Sequence, residues 1–315
     1  MSPPTNRSLG KFRRCRLALP TLCVALATAL STAGSTASAE GSSQAHPWWA
    51  RSFEAPEELP AAYPFCCGSY WDTLLLSKTS SGSIVKDPRR QTNHVFAAHT
   101  GPNDGRDFAD WSFLTQDATV SQGHEGTSVW VRVRMYFPRG FKPTGYTAGE
   151  SNSEWNWLMT FHETKGWANQ CGGEDPSTVA LGILNKRQRR NRRPNPRFRL
   201  HLVGGAQSSS NCIPQLRRID GPKLRLGHWY SVVEHVVFSP SDSGLVEIWI
   251  DGRRMTRVRF PTMYRHPNGS LGDYYFCFGY YRRRAAWDAT VLFDDVAEGP
   301  TRASVRLRRP PGKHH

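Results

Sequence analysis

The chain has 315 residues, of which 38% are hydrophobic, and a formal net charge of +15. Its strongly apolar run near the N-terminus is too short to span a bilayer, and no later stretch is long or apolar enough, so no membrane association is predicted. The positive charge predicts an anionic partner, although an arginine-rich composition alone would give the same excess. No nucleic-acid-binding motif accompanies the charge, and nucleic acid is therefore not the expected partner.

Residues 1–39 have the layout of an export signal. Arg13, Arg14 and Arg16 precede the short apolar run, and small residues lead to a cleavage site after Ala39. Removing this segment takes away five basic residues and no acidic one, which leaves 276 residues with a net charge of +10. The sequence therefore predicts a secreted, extracellular protein, and we expect it to act as a monomer.

The cysteines that follow the signal are odd in number, in a compartment where disulfides form. They are Cys66, Cys67, Cys171, Cys212 and Cys277. Cys171 and Cys212 lie in loop-like segments and are the best candidates for one disulfide, but spacing leaves the pairing open. No zinc spacing or calcium motif occurs, so no metal ligands and no cofactor are predicted. The sequence does not decide whether a calcium ion braces a loop.

Residues 40–60 are predicted to be a flexible N-terminal segment, residues 61–300 a single domain, and residues 301–315 a basic C-terminal tail. Short strand patterns separated by Gly, Pro, Asn and Asp dominate the domain, and long helical periodicity is absent. This pattern predicts an all-β fold, a sandwich or a barrel.

The first clear strand runs from Ser128 to Phe137 and alternates strictly between two faces. Its core face is predicted to contain Val129, Val131, Val133 and Met135. Its other face is aromatic and cationic, with Trp130, Arg132, Arg134 and Tyr136.

Three later strands show the same alternation. Their predicted core residues are Trp155, Trp157, Met159, Phe161, Phe198, Leu200, Leu202, Phe276, Phe278 and Tyr280. Their other faces are predicted to contain Asn156, Leu158, Thr160, His162, Arg199, His201, Val203, Tyr275, Cys277, Gly279, Tyr281 and Arg283.

These non-core faces are rich in arginine, histidine and aromatic side chains. If the four strands are neighbours, they form the floor of a groove in which aromatic rings stack on sugars and arginine forks bind carboxylates. The alternative is an ordinary solvated sheet surface. The basic stretch 186–199 has two interpretations with equal support: a loop that reaches over an anionic chain, or a solvated insertion between strands.

Several segments together resemble a known enzyme family. The stretch GHWYSVVEHVVFSPSDSGLVEIWIDGRRM contains a hairpin signal at Asp251-Gly252. It resembles the corresponding hairpin of the heparin-lyase-like and glucuronan-lyase-like polysaccharide lyases and, more loosely, that of laminin-G-like lectin domains. WNWLMTFHE resembles the strand on which these enzymes and the alginate lyases have a Gln-x-His pair. YFCFGYYRR resembles their late strand, written YFKAGxYxQ in alginate lyases, and FDDVAEG resembles their closing strand.

The resemblance implies a concanavalin A-like, two-sheet antiparallel β-jelly roll. It also implies cleavage of an acidic, uronate-containing polysaccharide by β-elimination. By position, His162 matches the family's histidine and Tyr281 its catalytic tyrosine. Thr160 stands where glutamine is common and Cys277 where the alginate lyases have lysine, which puts carboxylate neutralisation in doubt unless an arginine replaces the glutamine.

Elimination needs neutralisation of the carboxylate, a base for the neighbouring proton, and an acid for the leaving oxygen. Tyr281 and His162 are the predicted catalytic residues, with Arg132 or Arg134 as the carboxylate clamp. The predicted substrate-binding set is Arg134, Arg132, Trp130, His201, Arg283 and Asn156. A hydrolase is disfavoured, because no run of paired carboxylates occurs. A non-catalytic, lectin-like glycan-binding module remains the alternative.

Overall fold

The computed structural model describes residues 47–53, 62–63, 74–77, 79–102, 109–115, 123–144, 156–163, 177–185, 196–208, 211–283 and 285–306. The strands in these residues, in chain order, are β1 (Trp49–Arg51), β2 (Ala62–Tyr63), β3 (Leu74–Leu76), β4 (Ser80–Lys86), β5 (His94–Thr100), β6 (Ala109–Thr115), β7 (Ser128–Phe137), β8 (Asn156–Glu163), β9 (Val179–Asn185), β10 (Pro196–Ala206), β11 (Gln215–Lys223), β12 (His228–Val237), β13 (Leu245–Ile250), β14 (Arg253–Arg259), β15 (Tyr264–Arg265), β16 (Tyr274–Arg283) and β17 (Ala289–Gly299).

The strands form two sheets that share one hydrophobic core. The first sheet has the order β14-β13-β12-β7-β17-β5-β4, with β1 paired to β17. The second has the order β11-β10-β9-β8-β16-β6-β3-β2, with β15 paired to β10. Pairing is antiparallel except for the short β2–β3 and β10–β15 contacts. The predicted fold class, an all-β two-sheet jelly roll, is confirmed.

Strand β7 alternates as its sequence predicts. Val129, Val131, Val133 and Met135 are fully buried in the core between the sheets. Tyr136 lies on the opposite face, in a smaller apolar cluster on the outside of the first sheet. Uninterrupted period-2 patterning therefore identified both faces of this strand.

The alternation predicted for β8 is wrong in its first half. Pairing with β9 shifts register between Trp157 and Met159, and both Leu158 and Met159 belong to the core. A β-bulge inserts one residue and so reverses the faces of the residues before it. Trp157, predicted for the core, therefore lies on the outer face. Asn156, predicted for the groove, is buried on the inner side, where its Oδ1 accepts a hydrogen bond from Tyr280 Oη at 2.8 Å.

Strand β16 keeps its predicted faces. Phe276, Phe278 and Tyr280 belong to the core, and Tyr275, Cys277 and Tyr281 belong to a separate cluster on the outer face of the second sheet. Along β16, the pairing with β8 shifts register between Phe278 and Tyr281. Gly279, inside this irregular stretch, has a φ of 149°, which glycine adopts more readily than other residues.

Structure extends beyond the predicted domain at both ends. Residues 49–51 form β1, hydrogen-bonded to β17, although the sequence predicts a flexible segment over 40–60. Residues 301–306 form a turn in which Ser304 and Val305 are buried, so the predicted tail begins as part of the packed structure. The described residues all fall in one compact unit, Gln44–His315.

No helix among the described residues has the length and apolar character needed to cross a membrane.

Two cysteines fall within the described residues. Cys212 is disulfide-bonded, and Cys277 is a free, buried thiol on β16. Cys66, Cys67 and Cys171 lie outside the described residues, so the pairing of Cys171 with Cys212 stays a prediction.

Candidate active site

The second sheet positions four of the predicted site residues. His162 lies on β8, His201 on β10, and Tyr281 and Arg283 on β16. These strands lie within one stretch of the sheet, β10-β9-β8-β16, and the four side chains are on the strand faces that point away from the core.

The other predicted groove residues lie on the far side of the sandwich. β7 pairs with β12 and β17 in the first sheet, so Trp130, Arg132 and Arg134 are on that sheet's outer face. The condition for a shared groove, that the four strands are neighbours, is not met by β7, because the hydrophobic core separates it from β8, β10 and β16. Arg134 also forms salt bridges within the first sheet, since its Nη1 lies 3.1 Å from Asp294 Oδ2 and 3.0 Å from Asp295 Oδ2. Neither arginine can clamp a carboxylate bound at Tyr281.

An aromatic cluster surrounds the predicted catalytic tyrosine. Trp157, Ala180, Tyr275 and Cys277 pack together on the outer face of the second sheet, and the half-buried Tyr281 packs against them. Tyr281 and Trp157 are direct cross-strand partners. Tyr281 thus stands beside a tryptophan, at the more open side of an apolar surface.

His162 is buried at the other end of this cluster. Its Nε2 lies 2.8 Å from Ser177 Oγ, and its ring stacks on Tyr275 with a centroid distance of 5.9 Å. Burial lowers the pKa of His162 from 6.5 to about 4. The imidazole is therefore neutral at neutral pH. Burial, followed by the nearby Cys277, raises the pKa of Tyr275 well above 10, so that phenol stays protonated.

His162 and Tyr281 share a face but not a position. His162 is paired with Tyr275, whereas Tyr281 lies six residues further along β16 and is paired with Trp157. At about 3.3 Å per residue, the two Cα atoms are roughly 15–20 Å apart. Side chains that stand upright on a sheet keep such a separation, so the two groups do not meet at one glycosidic bond. The expected acid–base pair is corrected on this point.

Cationic residues continue this face onto β10 and β11. The His201 ring lies 5.1 Å from the Trp157 ring, and His201 is paired with Arg218. Burial, then Arg218 and Arg199, lowers the pKa of His201 from 6.5 to about 4. Arg199 is held by Asp220, with Nη2 2.7 Å from Oδ1. Arg283 is half-buried two residues after Tyr281 and shares its strand face, whereas the intervening Arg282 is fully buried.

Sequence reasoning missed Trp157 and Tyr275 as parts of this site. The sequence predicts the correct face for Tyr275. Its presence in the same motif as Tyr281, YFCFGYYRR, could have identified it as part of the site. Trp157 carried no such signal, because its face depends on the bulge at Leu158.

The two-sheet antiparallel sandwich, with an aromatic cluster on the outer face of its second sheet, is a jelly-roll fold. A family model described as polysaccharide lyase matches residues 68–297. The chain belongs to this polysaccharide lyase family.

A solved structure with a TM-score above 0.5 has the same fold. The endo-β-1,4-glucuronan lyase of the fungus Trichoderma reesei is similar with a TM-score of 0.57 and 16% identity, covering 75% of this chain and 93% of that one. The alginate lyase vAL-1 from Chlorella virus gives a TM-score of 0.43 and 10% identity, covering 71% and 90%. Alginate lyase A1-II′, a member of polysaccharide lyase family 7, gives 0.43 and 11%, covering 69% and 82%. No curated protein matches the sequence significantly.

Proposed function

We propose that this polysaccharide lyase is secreted, acts as a monomer without a cofactor, and cleaves an acidic, uronate-containing polysaccharide by β-elimination at Tyr281. One observation carries the assignment of the site. Tyr281 matches the family's tyrosine position and is the half-buried phenol of the outer aromatic cluster, beside Trp157. The match to the Trichoderma glucuronan lyase makes polyglucuronate the first polymer to test.

A single tyrosine can perform both proton transfers when the proton and the leaving oxygen lie on the same side of the sugar. The phenolate takes the proton from the carbon next to the carboxylate, the bond to the leaving oxygen breaks, and the phenol returns the proton to that oxygen. A nearby cation stabilises the negative charge on the phenol oxygen, and Arg283 lies two residues away on the same face. We assign the carboxylate to Arg283, because Arg132 and Arg134 belong to the other sheet.

His162 has a positioning role in this proposal. Its neutral ring, held by Ser177, stacks on Tyr275 and so fixes the far end of the cluster. The rings of His201 and Trp157 form a T-shaped contact, so together they present one ring edge and one ring face to a bound sugar.

The deciding variant is Tyr281→Phe. It keeps the ring and removes the transferable proton, so turnover of polyglucuronate should fall by a factor on the order of a hundred to ten thousand. Formation of the unsaturated sugar end is followed by its ultraviolet absorbance. Binding of the polymer should be largely retained.

Tyr280→Phe is the matched control. It makes the same chemical change one residue earlier, on the face that points into the core, where the hydroxyl bonds Asn156. Its activity per folded molecule should stay near that of the wild type. If Tyr281→Phe keeps full activity while the wild type cleaves the polymer, the assignment of Tyr281 is wrong. If the wild type binds but yields no unsaturated product, the protein is a glycan-binding module.

A further inference from the structure

Arg132 lies in the middle of the outer face of the first sheet. Its partner on β12 is Val233, and Val233 is paired in turn with Trp249 on β13. Paired residues share a face, so these side chains form a row across the sheet. The turn of residues 301–306 lies against this row, with the Cζ atom of Arg302 4.4 Å from the centroid of the Trp249 ring.

A cavity of about 340 Å³ opens between this row and the turn. Among the described residues that line it are three arginines and no carboxylate. Its lining includes Arg132, Ser231, Val233, Trp249, Arg302 and Arg306. Its size is at the lower end of the range for small-ligand sites, which is roughly 300–1,000 Å³. It suits one sugar residue rather than a long segment.

Arg132 is unusual in being both buried and incompletely bonded. It is 8% exposed, and its Nε has no hydrogen-bond partner within the part of the chain that the structure describes. The acidic side chains that act on Arg132 electrostatically, Asp295 and Asp294, are both bonded to Arg134. The Nε itself is enclosed by protein, but no hydrogen bond is formed by the two terminal nitrogens of Arg132 within the described residues, and Arg132 lines the cavity, so these nitrogens are the donors available to a ligand oxygen.

The two other guanidinium groups stand at the mouth of the cavity. Arg302 and Arg306 are exposed, and neither forms an ion pair with any residue in the described ranges. Arg302 is oriented by its contact with the Trp249 ring. Three arginines thus line one small volume, and guanidinium forks recognise planar or tetrahedral oxyanions.

We infer that this cavity is a second, non-catalytic binding site, which takes the anionic group of one sugar residue of an acidic polysaccharide on the sheet opposite Tyr281. The identity of the ligand rests on the proposed function, whereas the anion site rests on the arginines alone. Val233 and Trp249 supply apolar walls for the sugar, and Ser231 supplies a hydroxyl. The three arginines line one small cavity rather than a long track, which favours a single charged group over a phosphate backbone.

The test compares two double variants that lose the same charge. Arg302→Ala/Arg306→Ala removes the mouth of the cavity. Lys86→Ala/Arg90→Ala removes two exposed cations from β4 and the turn after it, elsewhere on the first sheet. Each protein is measured for retention in gels containing polyglucuronate, with Tyr281→Phe in every protein if the wild type degrades the gel. Cleavage of short glucuronate oligosaccharides is measured separately, without that change.

We expect the Arg302/Arg306 variant to bind the polymer on the order of tenfold more weakly, as for loss of a charge-assisted hydrogen bond, with oligosaccharide cleavage unchanged. The Lys86/Arg90 variant should lose much less. Arg132→Lys, which keeps the charge but removes the planar fork of guanidinium donors, should weaken retention in the same direction.

Equal loss in both double variants would mean that only bulk charge matters, and the site would be rejected. Unchanged retention in the Arg302/Arg306 variant would reject it too. If the Arg302/Arg306 variant is retained less than the wild type in gels containing DNA, but equally in gels containing polyglucuronate, the glycan assignment is wrong. If the wild type cleaves nothing, the lyase proposal fails, while the comparison of retention still decides the anion site.

Discussion

At the scale of single residues, a carboxyl group buried in the interior of the sandwich opposes folding as the pH rises. Glu234 on β12 lies between the core residues Val232 and Val236, and burial raises the pKa of Glu234 from 4.5 to about 8. The unfolded chain loses this proton above pH 4.5, whereas the folded protein holds it to about pH 8. The free energy of unfolding should therefore fall as the pH rises between these values.

Glu234→Gln should remove that decline, because it keeps a neutral side chain of the same shape at every pH. We expect the difference between the two proteins to grow by a few kcal/mol from about pH 5 to about pH 8, measured by urea unfolding. Near pH 5 both carry a neutral group at this position, so the difference there is the reference. Parallel pH profiles would contradict the placement of this carboxyl in the core.

His162 makes the opposite contribution at acidic pH. Its folded pKa, about 4, lies below the ordinary value of 6.5, so the unfolded chain binds a proton first as the pH falls. Stability should be lost between these two values on acidification. His162→Gln should reduce that loss by on the order of 3 kcal/mol, measured by unfolding at about pH 6.5 and about pH 4. An unchanged acid profile would mean that His162 is accessible to water.

At the scale of elements, the outward position of Trp157 depends on a glycine in the next strand. Gly182 on β9 is paired with Trp157, and a Cβ atom at Gly182 would lie 2.6 Å from the Trp157 ring and 2.4 Å from the carbonyl oxygen of Asn156. Gly182→Ala should therefore displace the tryptophan and destabilise the fold by roughly 1–3 kcal/mol. Urea unfolding and tryptophan fluorescence measure the two effects. Gly140→Ala, where a Cβ atom meets nothing within 4 Å, should leave both unchanged.

Strands β7, β8 and β16 show which features of the fold could be predicted from the sequence. Strict alternation was sufficient for β7 and β16, since every residue of those patterns kept its predicted face. In β8 the extra residue at Leu158 puts Asn156 on the inner face and Trp157 on the outer face, the reverse of the prediction. The bulge arises from the pairing with β9, so the local sequence pattern does not predict it. Sheet membership was also beyond local patterns. β8 pairs with β16, more than a hundred residues away, and β7 pairs in the other sheet.

At the scale of the molecule, the sandwich has two outer faces with different chemistry. The face with Tyr281 bears the two histidines whose pKa falls to about 4, while the opposite face has its own aromatic side chains and bears the three arginines of the cavity. The hydrophobic core between them prevents one sugar from contacting both. A polymer long enough to engage both faces would gain affinity through the second contact, whereas a short oligosaccharide would not.

Charge should decide which glycans the whole molecule prefers. With a net charge of +10 after removal of residues 1–39, the protein should be retained by polyglucuronate and pass a neutral polymer such as a β-glucan at low salt. Exposed charges are screened over about 10 Å at 0.1 M ionic strength, so retention should weaken steadily as salt is added. Buried contacts are screened less, and a remnant of binding at high salt should therefore depend on Arg132 and on the aromatic cluster. Equal retention on both polymers at low salt would show that neither face recognises the acid group.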